Sequence, residues 1–268
     1  MNLNLVDSTF GHCEVSSNPL PVINKAKYIQ WVRKDSAEEL VIYTDNQIPT
    51  KISNKAIAWL IEPSEIKSKG YNYVKDNYKE FESVWTYDKA LLDNIPNAVF
   101  YPFGGCWIEY NERDIHKKSK LFSIISSNKK QTTGHKLRHK IISASSNKID
   151  VFGRGYEPID NKIKGLKDYH YHFVIENVKK DYWFTEKLID CFITGTVPIY
   201  WGCPSIGDFF NTEGMIIFND LIELKEKLKQ CTEEYYVSIA PIIKENFELA
   251  KKYTLAEDWI YNNIIGND

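Results

Sequence analysis

The sequence predicts an α/β protein of two lobes facing a cleft, followed by a helical tail. Three observations carry this reading. Residues 171–206, YHFVIENVKKDYWFTEKLIDCFITGTVPIYWGCPSI, read as strand, loop, helix and strand in direct succession. Short apolar runs alternate with helical or polar stretches through both halves of the chain. Between the halves lies 102–120, PFGGCWIEYNERDIHKKSK, glycine-containing and then strongly charged, the best candidate linker.

Residues 2–6, 40–43, 56–61, 84–87 and 98–101 are apolar runs of strand length, and 65–82 is partly helical by pattern. Together they make a first α/β layer. A second series starts with a strand at 121–126, a helical segment at 134–144 and a strand at 150–152. The segment 171–206 follows, then a short strand at 215–218 and a helix at 221–229. Residues 233–263 are mostly helical, interrupted near Pro241, whose ring cannot sit in a helix interior. The expected division is a first lobe over 1–115, a second over 116–245, and a tail over 246–268 that packs back on the first. Two such parallel α/β layers are Rossmann-like lobes.

Within 171–206, residues 171–175 are an apolar, β-branched and aromatic run. Residues 176–184 are polar and aromatic, as an exposed connection would be. From Thr185 the period changes: Leu188, Cys191 and Phe192 fall at i, i+3 and i+4 and so share one helical face. Thr185 suits the N-cap and Gly195 the C-terminal stop. Residues 197–201 form the next strand, closed by Gly202 and Pro204. A β-loop-α-β unit requires a parallel sheet and a right-handed crossover. In such sheets the loop after a strand lies at the ligand-binding edge, and helix starts there attract anions. The expected ligand bears phosphate.

The bulk composition excludes other classes. With 43% hydrophobic and 26% charged residues the chain is globular, and its formal charge of −2 argues against a broad nucleic-acid surface. Seven Trp and seventeen Tyr suit either a carbohydrate- or nucleotide-handling surface or aromatic packing in the core. Five scattered cysteines without a CxxC fit reduced thiols in a cytoplasmic setting. The N-terminus has no signal-peptide pattern, and no run reaches the ~18 apolar residues a membrane helix needs.

Single residues then carry the chemistry. Lys187 in the first helical turn opposes the helix dipole. Spacing alone fits two readings: an exposed lysine lying along the surface, or a cation offset by a bound diphosphate. Glu186 suits the dipole, and a carboxylate there also accepts hydrogen bonds from ribose hydroxyls. Arg138, in HKLRHK (135–140), is either part of a solvated basic face or a clamp on phosphate. His135 and His139 share its helix face, yet no third ligand accompanies them as zinc requires. Gly153-Arg154-Gly155 reads as a turn. No D-x-D occurs in the chain, which weakens the case for a Mg²⁺- or Mn²⁺-dependent nucleotide-sugar site. Glu62 ends the apolar run AIAWLI, where a carboxylate either caps a turn or is desolvated enough to act as a general base.

The order ENVKKDYWFTEKLIDCFITGTVPIYWGCPSI resembles the donor signature of the family-ten α1,3/α1,4-fucosyltransferases, which runs FEN…YVTEK…P(I/V)YWG.P. The resemblance covers 121–220 well and the first half only in outline. It implies the two-lobed GT-B fold and inverting transfer of fucose from GDP-fucose to a carbohydrate acceptor, with no cofactor or metal. It further implies Asn177 beside the nucleotide, Glu186 on the ribose, Lys187 on the diphosphate, Arg138 on the β-phosphate and sugar, and Glu62 as base. The family's Tyr-Val before TEK is here Trp183-Phe184, so the phosphate-contacting tyrosine is Tyr182 or absent. Phe10, His12 and Trp107 are the acceptor-side candidates. The rival expectations are the same fold with UDP-xylose or another NDP-sugar, and a non-catalytic carbohydrate- or nucleotide-binding module. Neither a nucleic-acid partner nor a membrane span is expected.

Overall fold

The computed structural model describes residues 1–7, 26–102, 104–145 and 148–266. Phe10 and His12 lie outside the described residues. The chain divides into two compact units, one of residues Met1–Gly105, Asp181–Trp183 and Leu255–Asp268, the other of Cys106–Lys180 and Phe184–Thr254.

The first unit holds β1 (Asn2–Val6), β2 (Gln30–Val32), β3 (Leu40–Thr44), β4 (Lys55–Trp59), α1 (Ser68–Asn77), β5 (Ser83–Thr86), α2 (Lys89–Asn94) and β6 (Ala98–Phe100). All six strands are parallel, in the order β2-β1-β3-β4-β5-β6. One buried cluster unites Val41, Tyr43, Ala56, Ala58 and Val84 with Tyr71 and Val74 of α1. Elsewhere in this unit a chain of rings links Trp31, Trp59 and Trp85 at 5.9 Å centroid spacings, with Tyr101 5.0 Å from Trp59. All three indoles are buried, so these rings serve core packing and not a sugar-handling surface. The strand read at 56–61 ends at Trp59, and β2 and α2 were not read at all: each is short and lacks a clear period.

The second unit contains β7 (Lys120–Ile125), α3 (Thr133–Ala144), β8 (Asp150–Phe152), β9 (Tyr169–Ile175), α4 (Glu186–Phe192), β10 (Val197–Trp201), β11 (Ile216–Ile217), α5 (Leu221–Lys227), α6 (Glu233–Ser238) and α7 (Ala240–Ala250). Its parallel sheet runs β11-β10-β9-β7-β8. β9 is buried along its whole length, which is why it reads as one apolar run instead of an alternating one. Apolar side chains pack against both of its faces: Val174 lies in a cluster with Leu188, Ile189 and Phe192 of α4, and Phe173 and Ile175 in one with Ile141 of α3. Thr185 caps α4 as expected, accepting from the Lys187 amide, and Gly195 ends that turn in the left-handed region at φ 67°. Pro241 sits in the first turn of α7, where no intrahelical donor is lost; the break lies just before it.

The charged segment 102–120 is not simply a solvated connection. Cys106 and Ile108 lie in the second unit's core, and the Lys118 ammonium is buried, donating to the carbonyls of Thr194 (2.7 Å) and Lys167 (3.1 Å) and to Thr196 Oγ1 (2.9 Å). After α7 the chain returns to the first unit through α8 (Ala256–Ile260), where Trp259 packs 5.1 Å from Tyr101.

Candidate functional site

In the second sheet the strand order reverses between β7 and β9, so the crevice beyond their C-terminal ends is the topological switch point where such sheets bind ligands. A cavity of about 250 Å³ opens there. Ile125, Ser126 and Ser127 line it from the end of β7, Ile175 from the end of β9, and Arg138, Arg154, Lys162, Glu186, Lys187 and Asp190 supply its charge. Arg138, Glu186 and Lys187, three of the residues singled out from sequence, therefore meet in one cavity.

Arg138 projects from α3. Its Nε donates to the Ile175 carbonyl at 3.1 Å and its Nη2 to Asn177 Oδ1 at 3.0 Å. These bonds fix the guanidinium, and among the described residues Nη1 has no partner. Burial lowers its pKa, opposed by the carboxylates of Glu176 and Glu186. Asn177 reaches the site through this contact.

The loop 176–184 departs from expectation. It was read as exposed, yet Glu176, Trp183 and Phe184 are fully buried. The Glu176 carboxylate accepts from Thr185 N–H at 2.9 Å and from Thr185 Oγ1 at 2.8 Å. Lys187 Nζ lies 3.5 Å from Glu176 Oε2, 3.5 Å from Glu186 Oε1 and 3.0 Å from Thr185 Oγ1. An offset to Lys187's unfavourable helix position is thus already built into the chain: Glu176 supplies compensation that one of the two readings assigned to a bound diphosphate. A Cβ on Gly202 would come within 2.6 Å of Glu176 Cγ, so the glycine of the YWG triplet leaves room for that side chain.

Glu186 is held from its other side by Lys162, whose Nζ is 3.2 Å from Oε1. Burial acts to raise the Glu186 pKa, but Lys162 and Lys187 outweigh it and hold the carboxyl well below the usual range. Lys162 also bonds Asp190 Oδ2 at 2.9 Å, and Asp190 Oδ1 accepts the Trp107 backbone N–H at 2.6 Å. Burial raises the Asp190 pKa against the pull of Lys162. His172 also lines the cavity; it is buried against Ser123 Oγ (2.7 Å), and burial followed by Lys162 pushes its pKa down to about 3.

Other expected residues lie elsewhere. Trp107 belongs to the second unit, and its ring, 41% exposed, lies 4.5 Å from Lys162 Nζ. Tyr182 groups with the first unit; it has φ 59° and packs edge-on to Phe100 at 6.0 Å. Glu62 also belongs to the first unit, half-buried three residues beyond β4. Its backbone N–H and that of Ile61 donate to Asp45 Oδ1, at 3.1 and 2.8 Å, and the Ile61 carbonyl accepts from Trp183 Nε1 at 3.0 Å. His135 caps its helix through Thr132, and His139 bonds Tyr156 and the Lys129 carbonyl, so both have structural work without zinc. Among the described residues no three His, Cys, Asp or Glu side chains stand together as metal ligands would.

Sequence reading missed Glu176, Lys162, Asp190 and Asp45. Glu176 had a signal, since it follows a buried strand just as Glu62 does. Lys162 lies in an ordinary basic stretch, and nothing in the spacing marks it.

Residues 115–236 match the family model for the C-terminal region of glycosyltransferase family 10 (fucosyltransferase). The α-(1,3)-fucosyltransferase FucT of Helicobacter pylori is 34% identical over 74 residues, which span 28% of this chain and 15% of that protein. Two crystal structures of an α1,3-fucosyltransferase share the fold. One, with GDP, superposes at a TM-score of 0.57 and 15% identity, covering 96% of this chain and 92% of that one. The other, with GDP-fucose, gives 0.58 and 16% over 94% and 89%. Over 115–236 the chain thus matches the family-ten fucosyltransferase region, within the GT-B fold of the solved α1,3-fucosyltransferases.

Proposed function

We propose that this chain is an inverting, metal-independent glycosyltransferase that moves fucose from GDP-fucose to a hydroxyl of a carbohydrate acceptor. The observation that carries the reading is the convergence of Arg138, Glu186 and Lys187 on one cavity at the switch point of the second sheet, inside the segment that matches the family. Asn177 orients Arg138, Glu186 accepts from the ribose hydroxyls, and Arg138 and Lys187 meet the diphosphate. Glu62 takes the proton of the acceptor hydroxyl. That oxygen then attacks the anomeric carbon opposite the diphosphate, the carbon–oxygen bond to the β-phosphate breaks, and GDP departs with the electron pair. The two fixed cations offset the charge that grows on the leaving group, the part a divalent ion takes in other enzymes. Trp107, Phe10 and His12 are proposed for the acceptor side. A cytoplasmic setting is proposed for the reaction, and the four described cysteines, free and buried, support it as suits a reducing compartment.

Thermal stabilisation across a sugar-nucleotide panel tests the reading, since a ligand that binds only the native state raises the melting temperature. GDP and GDP-fucose are expected to stabilise the protein, and fucose transfer to follow with a suitable acceptor. Stabilisation by UDP-sugars alone would reassign the donor. Binding with no consumption of the sugar nucleotide under any acceptor would leave a non-catalytic module.

A further inference from the structure

Lys162 has no part in the mechanism above, yet its ammonium group is held in the cavity by two carboxylates and an aromatic ring. Its Nζ lies 2.9 Å from Asp190 Oδ2, 3.2 Å from Glu186 Oε1 and 4.5 Å from the centre of the Trp107 ring. Asp190, 1% exposed, is itself fixed by the Trp107 backbone N–H. Asn161 caps the short turn that follows, its Oδ1 accepting from Ile163 N–H at 3.0 Å, so the lysine's backbone is fixed as well. Lys162 and Lys187 both approach Glu186 at Oε1, at 3.2 and 3.5 Å. Arg138, Arg154, Lys162 and Lys187 line the cavity with Glu186 and Asp190, and Glu176 backs Lys187, so the cations there outnumber the carboxylates by one.

We infer that Lys162 is a positioning residue for the sugar nucleotide: anchored on Asp190 and Trp107, it holds the Glu186 carboxylate in the orientation that accepts the ribose hydroxyls. This rests on the nucleotide-sugar reading. Without the strut the Glu186 side chain regains rotamer freedom, and the contact most sensitive to its direction is the hydrogen bond from the ribose 2′-hydroxyl.

The test is the ratio of affinities for GDP and 2′-deoxy-GDP, measured by titration calorimetry. Wild type is expected to favour GDP by about tenfold or more, the worth of a hydrogen bond to a charged group. In Lys162→Met the ratio falls towards one, while Lys162→Arg keeps most of it. Because Lys162→Met strands a buried carboxylate, Lys162→Met/Asp190→Asn is measured beside it; the uncharged pair keeps the fold and shows the same collapse of the ratio. A folded variant without the lysine that keeps the wild-type ratio overturns the role of Lys162 alone. A wild-type protein that binds neither nucleotide overturns the functional reading beneath it.

Discussion

In the second unit the residues at the sheet edge hold one another through charged side chains, whereas in the first unit Glu62 is held through its backbone. Lys162 and Lys187 interlock with Glu176, Glu186 and Asp190, while Arg138 is fixed beside them by the Ile175 carbonyl and Asn177. Glu62 instead follows a strand end whose amides are gathered by Asp45 and whose Ile61 carbonyl is bonded by Trp183. The first arrangement fixes charge for a ligand that brings its own. The second fixes the chain and leaves the carboxylate's chemistry to its surroundings. Damage should therefore spread differently in the two units: through electrostatics in one, through local backbone order in the other.

The largest expected effect is from Glu176→Ala. It removes a fully buried carboxylate that Thr185 and Lys187 share, and should cost about 3–5 kcal/mol in urea denaturation, with activity lost. A cost below that of any first-unit variant would break the contrast. Next is Glu62→Gln, expected to lower turnover by about 10²–10⁴-fold while GDP affinity stays at its wild-type value. Calorimetry that finds both reduced would mean that Glu62 does more than move a proton.

A third prediction uses the charge buried in the second unit away from the cavity. Burial pushes the Lys118 amine down to about 7 from 10.5. Between those values the unfolded chain holds the extra proton, so stability must rise with pH across that window. Relative to Lys118→Met, the wild type should gain about 2 kcal/mol between pH 7 and 9 in denaturation midpoints. A flat difference would remove Lys118 from the balance. The smallest effect is expected from Asp45→Ala, which leaves the Ile61 and Glu62 amides without their acceptor. It should cost about 1–2 kcal/mol, with a lowered kcat and an unchanged GDP affinity.

The contrast also governs what could be read in advance. The β9–α4–β10 unit was legible because its signals are contiguous: a buried apolar run, a Thr185 cap, a 3.6-residue face and a closing glycine. Glu186 and Lys187 were found for the same reason, standing at a recognisable helix start, and Arg138 because it lies in the basic stretch HKLRHK. Asp190 was hidden because it sits among apolar neighbours on α4, and the helical period draws the eye to Leu188, Cys191 and Phe192. Lys162 and Asp45 act through contacts with residues 28 and 16 positions away, which no local pattern encodes. The loop 176–184 misled for the opposite reason. Its polar letters suggested solvent, but its acid and its aromatic rings are the parts that turn inward.

The short insertion Asp181–Trp183 has a practical side. It belongs with the first unit although the chain on either side of it belongs to the second, and Leu255–Asp268 returns there too. The region that resembles the family is therefore not a removable cassette. A graft of 106–254 onto another scaffold would carry Trp183 away from the Ile61 carbonyl its indole serves, presenting a bare aromatic ring to water. Anyone exchanging the second unit between related proteins would have to match four junctions together, and a chimera joined only at the first would be expected to aggregate.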